Sequence, residues 1–329
     1  MTGDGEFDWR SIAPQDAKAW AGLMAAIAEA DQDWEYYSEQ DLLEEFSDPY
    51  RDHARASVCI YDGNVMVGYC ALTFRSTADP VHEMQQEGGV HPAYRQLGLG
   101  GRLLDWAHRT AIPLHQERCP GRPLTLTGGC VSHNAGAMAL FAAHGYHPAR
   151  WFHSMERDLS APIPEISVPA EVRIEGFTPE HIGDALLIRN EAFRDHWGST
   201  EITGEEWALR MEYEAFRPAL SFLAYADQEP LGLIISHEYD AYTAASGIRD
   251  VHIPLIGTRQ QGRKRGIATA LVVRVLTQAR AGGFTTASLS VDADSLTGAL
   301  DLYKRVGFTV RHTSIAHTKA LLASSSPTG

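Results

Sequence analysis

Two short stretches of this chain have the residue types and spacing to hold an anion. The first is Arg95-Gln96-Leu97-Gly98-Leu99-Gly100, and the second is Arg263-Lys264-Arg265-Gly266-Ile267-Ala268. Each follows a strand-like run, Gly88-Gly89-Val90 in one case and Leu255-Ile256-Gly257-Thr258 in the other, and each opens an amphipathic helical run. A strand that enters such a loop and leaves as a helix presents unpaired backbone N–H groups and the positive end of the helix dipole. Glycine lets the backbone come close to a phosphate oxygen, and Arg263 and Arg265 add cationic donors. Neither loop spells the dinucleotide fingerprint G-x-G-x-x-G or carries the P-loop lysine.

The elements that must position these loops occur twice. A strand, a turn and a helix opening on proline read from Trp9-Arg-Ser-Ile-Ala-Pro14, and again from Arg173-Ile-Glu-Gly-Phe-Thr-Pro179. A hairpin reads from Ala56–Tyr61, a polar turn and Val65–Ala71, and a second from Ser221–Tyr225 and Leu231–Ile235. Each loop is followed by an aromatic-x-x-x-Gly-aromatic motif, Phe141…Gly145-Tyr146 and Tyr303…Gly307-Phe308. Matching features recur 162–168 residues apart, close to half of the 329-residue chain. Such a regular offset reads as a duplication. The expected seam is Ser160-Ala-Pro162-Ile-Pro164-Glu-Ile-Ser-Val-Pro169, an extended proline-rich linker. The expected domains are therefore 1–160 and 171–329, with 161–170 between them.

Composition narrows the partners. A formal charge of −14 argues against nucleic acid and against an anionic membrane surface, and would suit a cationic small molecule. The polar, acidic start lacks the basic and apolar regions of a signal peptide, and no apolar run approaches a membrane span, so a cytoplasmic protein is expected. Cys59, Cys70, Cys119 and Cys130 form no close metal-binding pair, and read as reduced thiols with no metal site.

The two loops, met as Arg95-Gln96-Leu97-Gly98-Leu99-Gly100 and Arg263-Lys264-Arg265-Gly266-Ile267-Ala268, resemble the Arg/Gln-x-x-Gly-x-Gly/Ala signature of the GNAT acetyltransferase superfamily. The resemblance covers nearly the whole chain as two tandem domains, in the arrangement of the mycothiol synthase type. It implies an α/β fold with a mixed sheet in each half, acetyl-CoA as donor, and its pyrophosphate on the loop. The cofactor set so implied is Ile256, Gly257, Thr258 and Arg263 to Ala268, with Val90 and Arg95 to Gly100 in the first half. The pantetheine is expected along a splayed strand at Leu255–Thr258, and the acceptor amine from the opposite side.

Acyl transfer from a thioester to an amine needs a neutral amine, a polarised carbonyl and a stabilised thiolate. A lysine-like amine lies about 4.6 kcal/mol from its neutral form at pH 7. The family's tyrosine motif is met by Ala299-Leu-Asp-Leu-Tyr303-Lys-Arg-Val-Gly307-Phe308, so the resemblance implies that Tyr303 hydrogen-bonds the leaving sulfur. The first half has Phe141 there, which places the chemistry in the second half. A family glutamate on the strand before the loop counts, without gaps, onto His252, and in the first half onto Met84. A neutral histidine can serve as base, and Asp250 shares its strand face. Two other readings stay open. One is a non-catalytic acyl-CoA-binding sensor or scaffold; the other is an enzyme working through its first half. A chain that already pairs two copies of one fold is expected as a monomer or a homodimer.

Overall fold

The computed structural model describes residues 7–49, 51–74, 81–166, 170–194, 196–197, 199–294 and 298–323. In chain order the first half forms β1 (Asp8–Arg10), α1 (Ala17–Asp31), α2 (Glu39–Glu44), α3 (His53–Ala56), β2 (Ser57–Asp62), β3 (Val65–Phe74), β4 (His82–Val90), α4 (Leu99–Arg118), β5 (Leu124–Val131), α5 (Ala135–Ala143) and β6 (His147–Asp158). The second half forms β7 (Val172–Gly176), α6 (Ile182–Ala192), α7 (Gly204–Arg210), β8 (Phe222–Ala226), β9 (Glu229–His237), α8 (Asp240–Ser246), β10 (Asp250–Thr258), α9 (Ile267–Ala281), β11 (Thr286–Asp292), α10 (Ala299–Arg305) and β12 (Thr309–Leu322). Pro14 and Pro179 each open a 3-10 turn leading into a long helix, where a missing N–H costs no hydrogen bond.

The chain packs as two compact units, but they do not follow the proline-rich seam. One takes the residues up to Arg150 together with those from Ser314 onward; the other is Trp151–Thr313. Strand pairing explains the division. In the first unit the order is β1-β2-β3-β4-β5-β12, and Ser314–Leu322 of β12 runs antiparallel to β5. In the second the order is β7-β8-β9-β10-β11-β6, and Phe152–Asp158 of β6 runs antiparallel to β11. Each half of the chain therefore gives its last strand to the other unit. Composition marks a linker, but strand hydrogen bonds decide membership. Part of that expected linker, 167–169, lies outside the described residues.

Each sheet is covered on two faces. In the second unit α9 buries Leu271, Val272, Val275 and Leu276 against Val251, Ile253 and Leu289, while α6 and α7 bury Ile188 and Trp207 against Leu233 and Ile235. The first unit repeats this with α4 on one face and α1 on the other. Burying such a side chain contributes about 1.5–3 kcal/mol.

The exchanged strands also tie down the aromatic motifs. Arg157 on β6 is buried, and among the described residues it forms no ion pair with a carboxylate. Its guanidinium donates to the carbonyls of Val306 (2.6 Å), Asp158 (2.8 Å) and Pro162 (2.7 Å). Val306 caps α10, and Gly307 beyond it has φ +94°, a backbone that strains any side chain, and a Cβ there would sit a tight 3.1 Å from Arg157 Nε. In the first unit Lys319 on β12 donates to the His144 carbonyl at 2.7 Å beside Gly145. Arg157 and Lys319 stand 162 residues apart, as Phe141 and Tyr303 do. One buried pair is specific to the first unit. His82 and His115 face each other with Nδ1 atoms 2.7 Å apart, and His115 Nε2 lies 2.9 Å from the Arg122 carbonyl. Burial, then His115, then Arg118 lower the His82 pKa to about 4.

Two outcomes follow for stability. Arg157→Ala strands three carbonyls and is expected to cost on the order of 3 kcal/mol in urea unfolding, with Arg157→Lys recovering little because one ammonium cannot span all three. Neutral His82 stabilises the fold fully above pH 6.5. That contribution, up to roughly 3 kcal/mol, is lost as pH falls from 6.5 towards 4. The urea midpoint of a His82→Phe variant is therefore expected to fall less steeply over that range than the parent's.

Candidate active site

The central feature of each unit is a pair of parallel strands that part company. β10 and β11 pair from Asp250–Thr286 to Ile253–Leu289 and then separate, while β10 stays bonded to β9 as far as Thr258–Gly232. The backbone of 254–258 is left without a strand partner on the β11 side. The first unit does the same: β4 and β5 pair from His82–Leu124 to Gln85–Thr127, and β4 continues along β3 to Val90–Gly68. In the second unit one extra residue enters β10 between His252 and Leu255, where Pro254 cannot donate to a ladder.

That bulge corrects the ungapped count. His252 pairs with His237 on β9, and Gln85 pairs with Thr73 on β3 at the matching place, so His252 corresponds to Gln85. Met84 corresponds to Val251, and both are buried in their cores.

Beyond the splay the loops are conformational copies. Gln96 and Lys264 both have left-handed backbone (φ 67° and 61°), and Gly98 and Gly266 both stand at φ 77° as the residues preceding α4 and α9. No side chain caps either helix. The loop glycine thus leaves the first amides of a 15-residue helix unfilled at α9, and the alternating backbone aims neighbouring N–H groups together. Ile267 and Leu99 anchor the helices in the cores, and Ala268 and Gly100 follow them in the first turns.

The arginines of both loops have partners within the protein. Arg95 forms a bidentate pair with Asp31 (2.7 and 2.9 Å), and its Nε donates to the Val90 carbonyl at 3.3 Å. Arg263 repeats the last contact on Thr258 (3.3 Å) and reaches the Ala192 carbonyl (3.3 Å). Arg265 pairs with Glu171 at 3.1 Å. These contacts brace the loops, and beside them the first backbone amides of α9 have no capping side chain. Gly257 lets α6 close on β10, since a Cβ would lie 3.1 Å from that of Ala192.

Asp250 and His252 lie on the face turned away from α9, because Val251 and Ile253 fill the α9 core. Asp250 is buried and accepts from Thr286 Oγ1 (2.6 Å) and Ser288 Oγ (2.5 Å). Ser288 Oγ lies 3.0 Å from His252 Nδ1. Register places Glu156, Ser288, His252 and His237 in one row across β6, β11, β10 and β9. Arg311 pairs with Glu156 (3.0 Å) and donates to the Tyr242 hydroxyl (3.0 Å), while the Tyr239 ring stands 6.1 Å from that of His252. Burial lowers His252 to about 4, and burial, helped by His252, lowers His237 to about 3. Both imidazoles are neutral at physiological pH.

Tyr303 occupies the other face. It belongs to the α9 core with Ile253, Leu289 and Val291, and burial lifts its pKa to about 12. Among the described residues its hydroxyl has no hydrogen-bond partner. In the first unit Phe141 stacks on His317 at 4.9 Å and meets Tyr146 edge-on at 5.2 Å. There the Tyr146 hydroxyl donates to Gln86 Oε1 (2.8 Å), and Gln86 packs so close to Gly128 that a Cβ on the glycine would lie 2.8 Å from its amide nitrogen. Gln86 and Gly128 each sit one residue past the last paired positions, so the first splay is filled by a side chain. Ser288, Thr286, Glu156 and Gln86 escape a reading of spacing alone, although the alternating Thr286-Ala-Ser288-Leu-Ser290 carries the sign of a polar strand face.

A splayed parallel pair feeding an uncapped helix through a glycine loop, twice over, defines an acyl-CoA-dependent acyltransferase. Comparison with known proteins agrees: residues 188–308 match the acetyltransferase (GNAT) family and residues 53–148 match an acetyltransferase (GNAT) domain. The chain is 31% identical to the mycothiol acetyltransferase of Thermobispora bispora, covering 90% of this chain and 93% of that one. A mycothiol acetyltransferase of Mycolicibacterium paratuberculosis is 29% identical over 94% of this chain and 96% of its own. A GCN5-related N-acetyltransferase from Sphaerobacter thermophilus superposes with TM-score 0.77 at 27% identity, with 98% of both chains covered. A tandem GNAT protein from the clavulanic acid biosynthesis pathway shares the fold, with TM-score 0.73 at 16% identity over 97% of this chain and all of that one. The chain belongs to the GNAT acetyltransferase family and uses acetyl-CoA.

Gly266→Glu would place a carboxylate and a strained left-handed side chain where the α9 amides converge. Calorimetry is expected to show acetyl-CoA binding weakened at least about tenfold, a loss of about 1.4 kcal/mol or more.

Proposed function

We propose that this protein is an acetyl-CoA-dependent N-acetyltransferase whose second unit acetylates the primary amine of a small molecule. The name borne by relatives across most of the chain, mycothiol acetyltransferase, suggests a mycothiol-related acceptor. A cytoplasmic setting fits an acetyl-CoA donor and four unpaired cysteines, and the formal charge of −14 favours a cationic acceptor. Among the described residues no helix is long and apolar enough to cross a membrane.

One observation carries the reading. Among the described residues, only the second unit has a tyrosine, Tyr303, in the core on the α9 side of its sheet and a hydrogen-bonded histidine, His252, on the other face. The first unit has Phe141 and Gln85 at those places and fills its splay with Gln86. Its role is therefore structural, and the sensor reading is disfavoured by the intact pair in the second unit.

Bound acetyl-CoA supplies a thioester-activated acetyl group, which the loop amides and the open edge of β10 suit. The amine arrives from the His252 face. His252 Nε2 takes the amine proton as the N–C bond forms and the C–S bond breaks. Backbone N–H groups at 255–258 polarise the carbonyl. With its pKa near 12, the Tyr303 hydroxyl is a poor acid towards a thiolate of about 8.5, so it stabilises the sulfur by donating a hydrogen bond. The departing sulfur regains its proton from solvent, to which His252 returns the one it took.

The test is free-thiol release against a panel of amines that includes mycothiol-related ones. Tyr303→Phe is expected to lower kcat about 10- to 100-fold with little change in KM for acetyl-CoA, the signature of an interaction made at the transition state. Full activity in that variant with the best acceptor would remove Tyr303 from the mechanism.

A further inference from the structure

Asp250 accepts two hydroxyl hydrogen bonds, and one of the two hydroxyls also touches His252. We propose that Ser288 is a positioning residue that fixes His252 as its Nδ1–H tautomer, leaving Nε2 bare toward the acceptor amine.

Hydrogen counting on four atoms supports this. Burial raises the Asp250 pKa while the Ser288 and Thr286 hydroxyls and Arg311 pull it down; in its ionised form the carboxylate only accepts, and serine owns a single hydroxyl hydrogen. Ser288 stands 2.5 Å from Asp250 Oδ2, so that hydrogen is spent on the carboxylate. Only a lone pair of Ser288 Oγ then remains to face His252 Nδ1 at 3.0 Å, and the hydrogen between them must come from the imidazole. Thr286 holds the other carboxylate oxygen at 2.6 Å, which stops Asp250 from rotating away. A neutral imidazole has one N–H, so a protonated Nδ1 makes Nε2 the acceptor. The chain runs Asp250, Ser288, His252 and fixes which nitrogen is basic.

The fold does not require this arrangement. In the first unit the place of Ser288 is taken by Thr127, paired with Gln85, and Thr127 Oγ1 is buried and has no hydrogen-bond partner among the described residues. The same two strands therefore assemble without the relay.

The proposal rests on the reading of His252 as base, and the experiment separates the two. Full-length protein labelled with 15N-histidine is examined by NMR, with the His252 signals identified by their loss in His252→Gln. The parent is expected to show Nδ1 protonated and Nε2 bare. Ser288→Ala should move His252 towards the Nε2–H form and lower kcat about tenfold or more, with KM for acetyl-CoA unchanged within about twofold. Ser288→Thr restores a hydroxyl and should recover most of both. Asp250→Asn is the independent variant: its amide donates to Ser288 Oγ, turns the serine hydrogen to Nδ1 and should flip the tautomer with the side-chain volumes intact. If Ser288→Ala and Asp250→Asn keep the parent tautomer and rate while His252→Gln is inactive, the relay is wrong and the base stands. If His252→Gln itself keeps full activity, the base assignment falls and takes the relay's function with it.

Discussion

Everything at the site depends on the separation of β10 from β11 after Ile253 and Leu289. A parallel ladder normally continues until one strand ends; here it stops while β10 runs on for five residues, held by β9 alone. The separation opens a way through the sheet with backbone polar groups along one side. Because side chains alternate across a strand, it also divides labour between faces. Tyr303 lies in the core on the α9 side and His252 on the opposite face. In the proposed reaction, acyl donor and amine approach from these two faces without competing for the same surface.

The two units show how one geometry is kept or lost after duplication. Both retain the splay, the left-handed loop positions and the uncapped helix, all of which are backbone properties. They differ in a few side chains. Tyr146 carries in the first unit the hydroxyl that Phe308 lacks in the second, and it spends that hydroxyl on Gln86 inside the splay. The aromatic pair has in effect exchanged its oxygen: phenylalanine then tyrosine in one unit, tyrosine then phenylalanine in the other. The position that Tyr303 holds in the second unit is filled by Phe141 in the first, on the matching helix.

Much of this was legible in the sequence. Turn chemistry and apolar patterning mark both hairpins, both proline-opened helices and both loops, because those signals are local. The face shared by Asp250 and His252 follows from period two alone. The rest depends on register. A single extra residue beside Pro254 moves the counterpart of His252 from Met84 to Gln85, and no count of residues reveals it. Ser288 lies on another strand, so its contact with His252 exists only once the parallel pairing is known. Arg95 and Arg263 resemble phosphate ligands by type and place, and only the structure shows that they also contact Asp31 and backbone carbonyls. Buried acceptors claim a guanidinium as readily as a ligand does.

The exchange of last strands has a consequence for how the chain is made. During synthesis the first unit emerges with β5 at an open edge, since the segment that covers it begins at Ser314, more than 180 residues further on. Its sheet stays incomplete until that segment has left the ribosome, and contacts that distant in sequence form slowly. An uncovered β5 is then free to pair with a β12 from another copy, the intertwining to which exchanged elements are prone. The arrangement that supplies Arg157 and Lys319 to the aromatic motifs therefore also joins the folding of the two units into one event, with neither half a complete sheet alone.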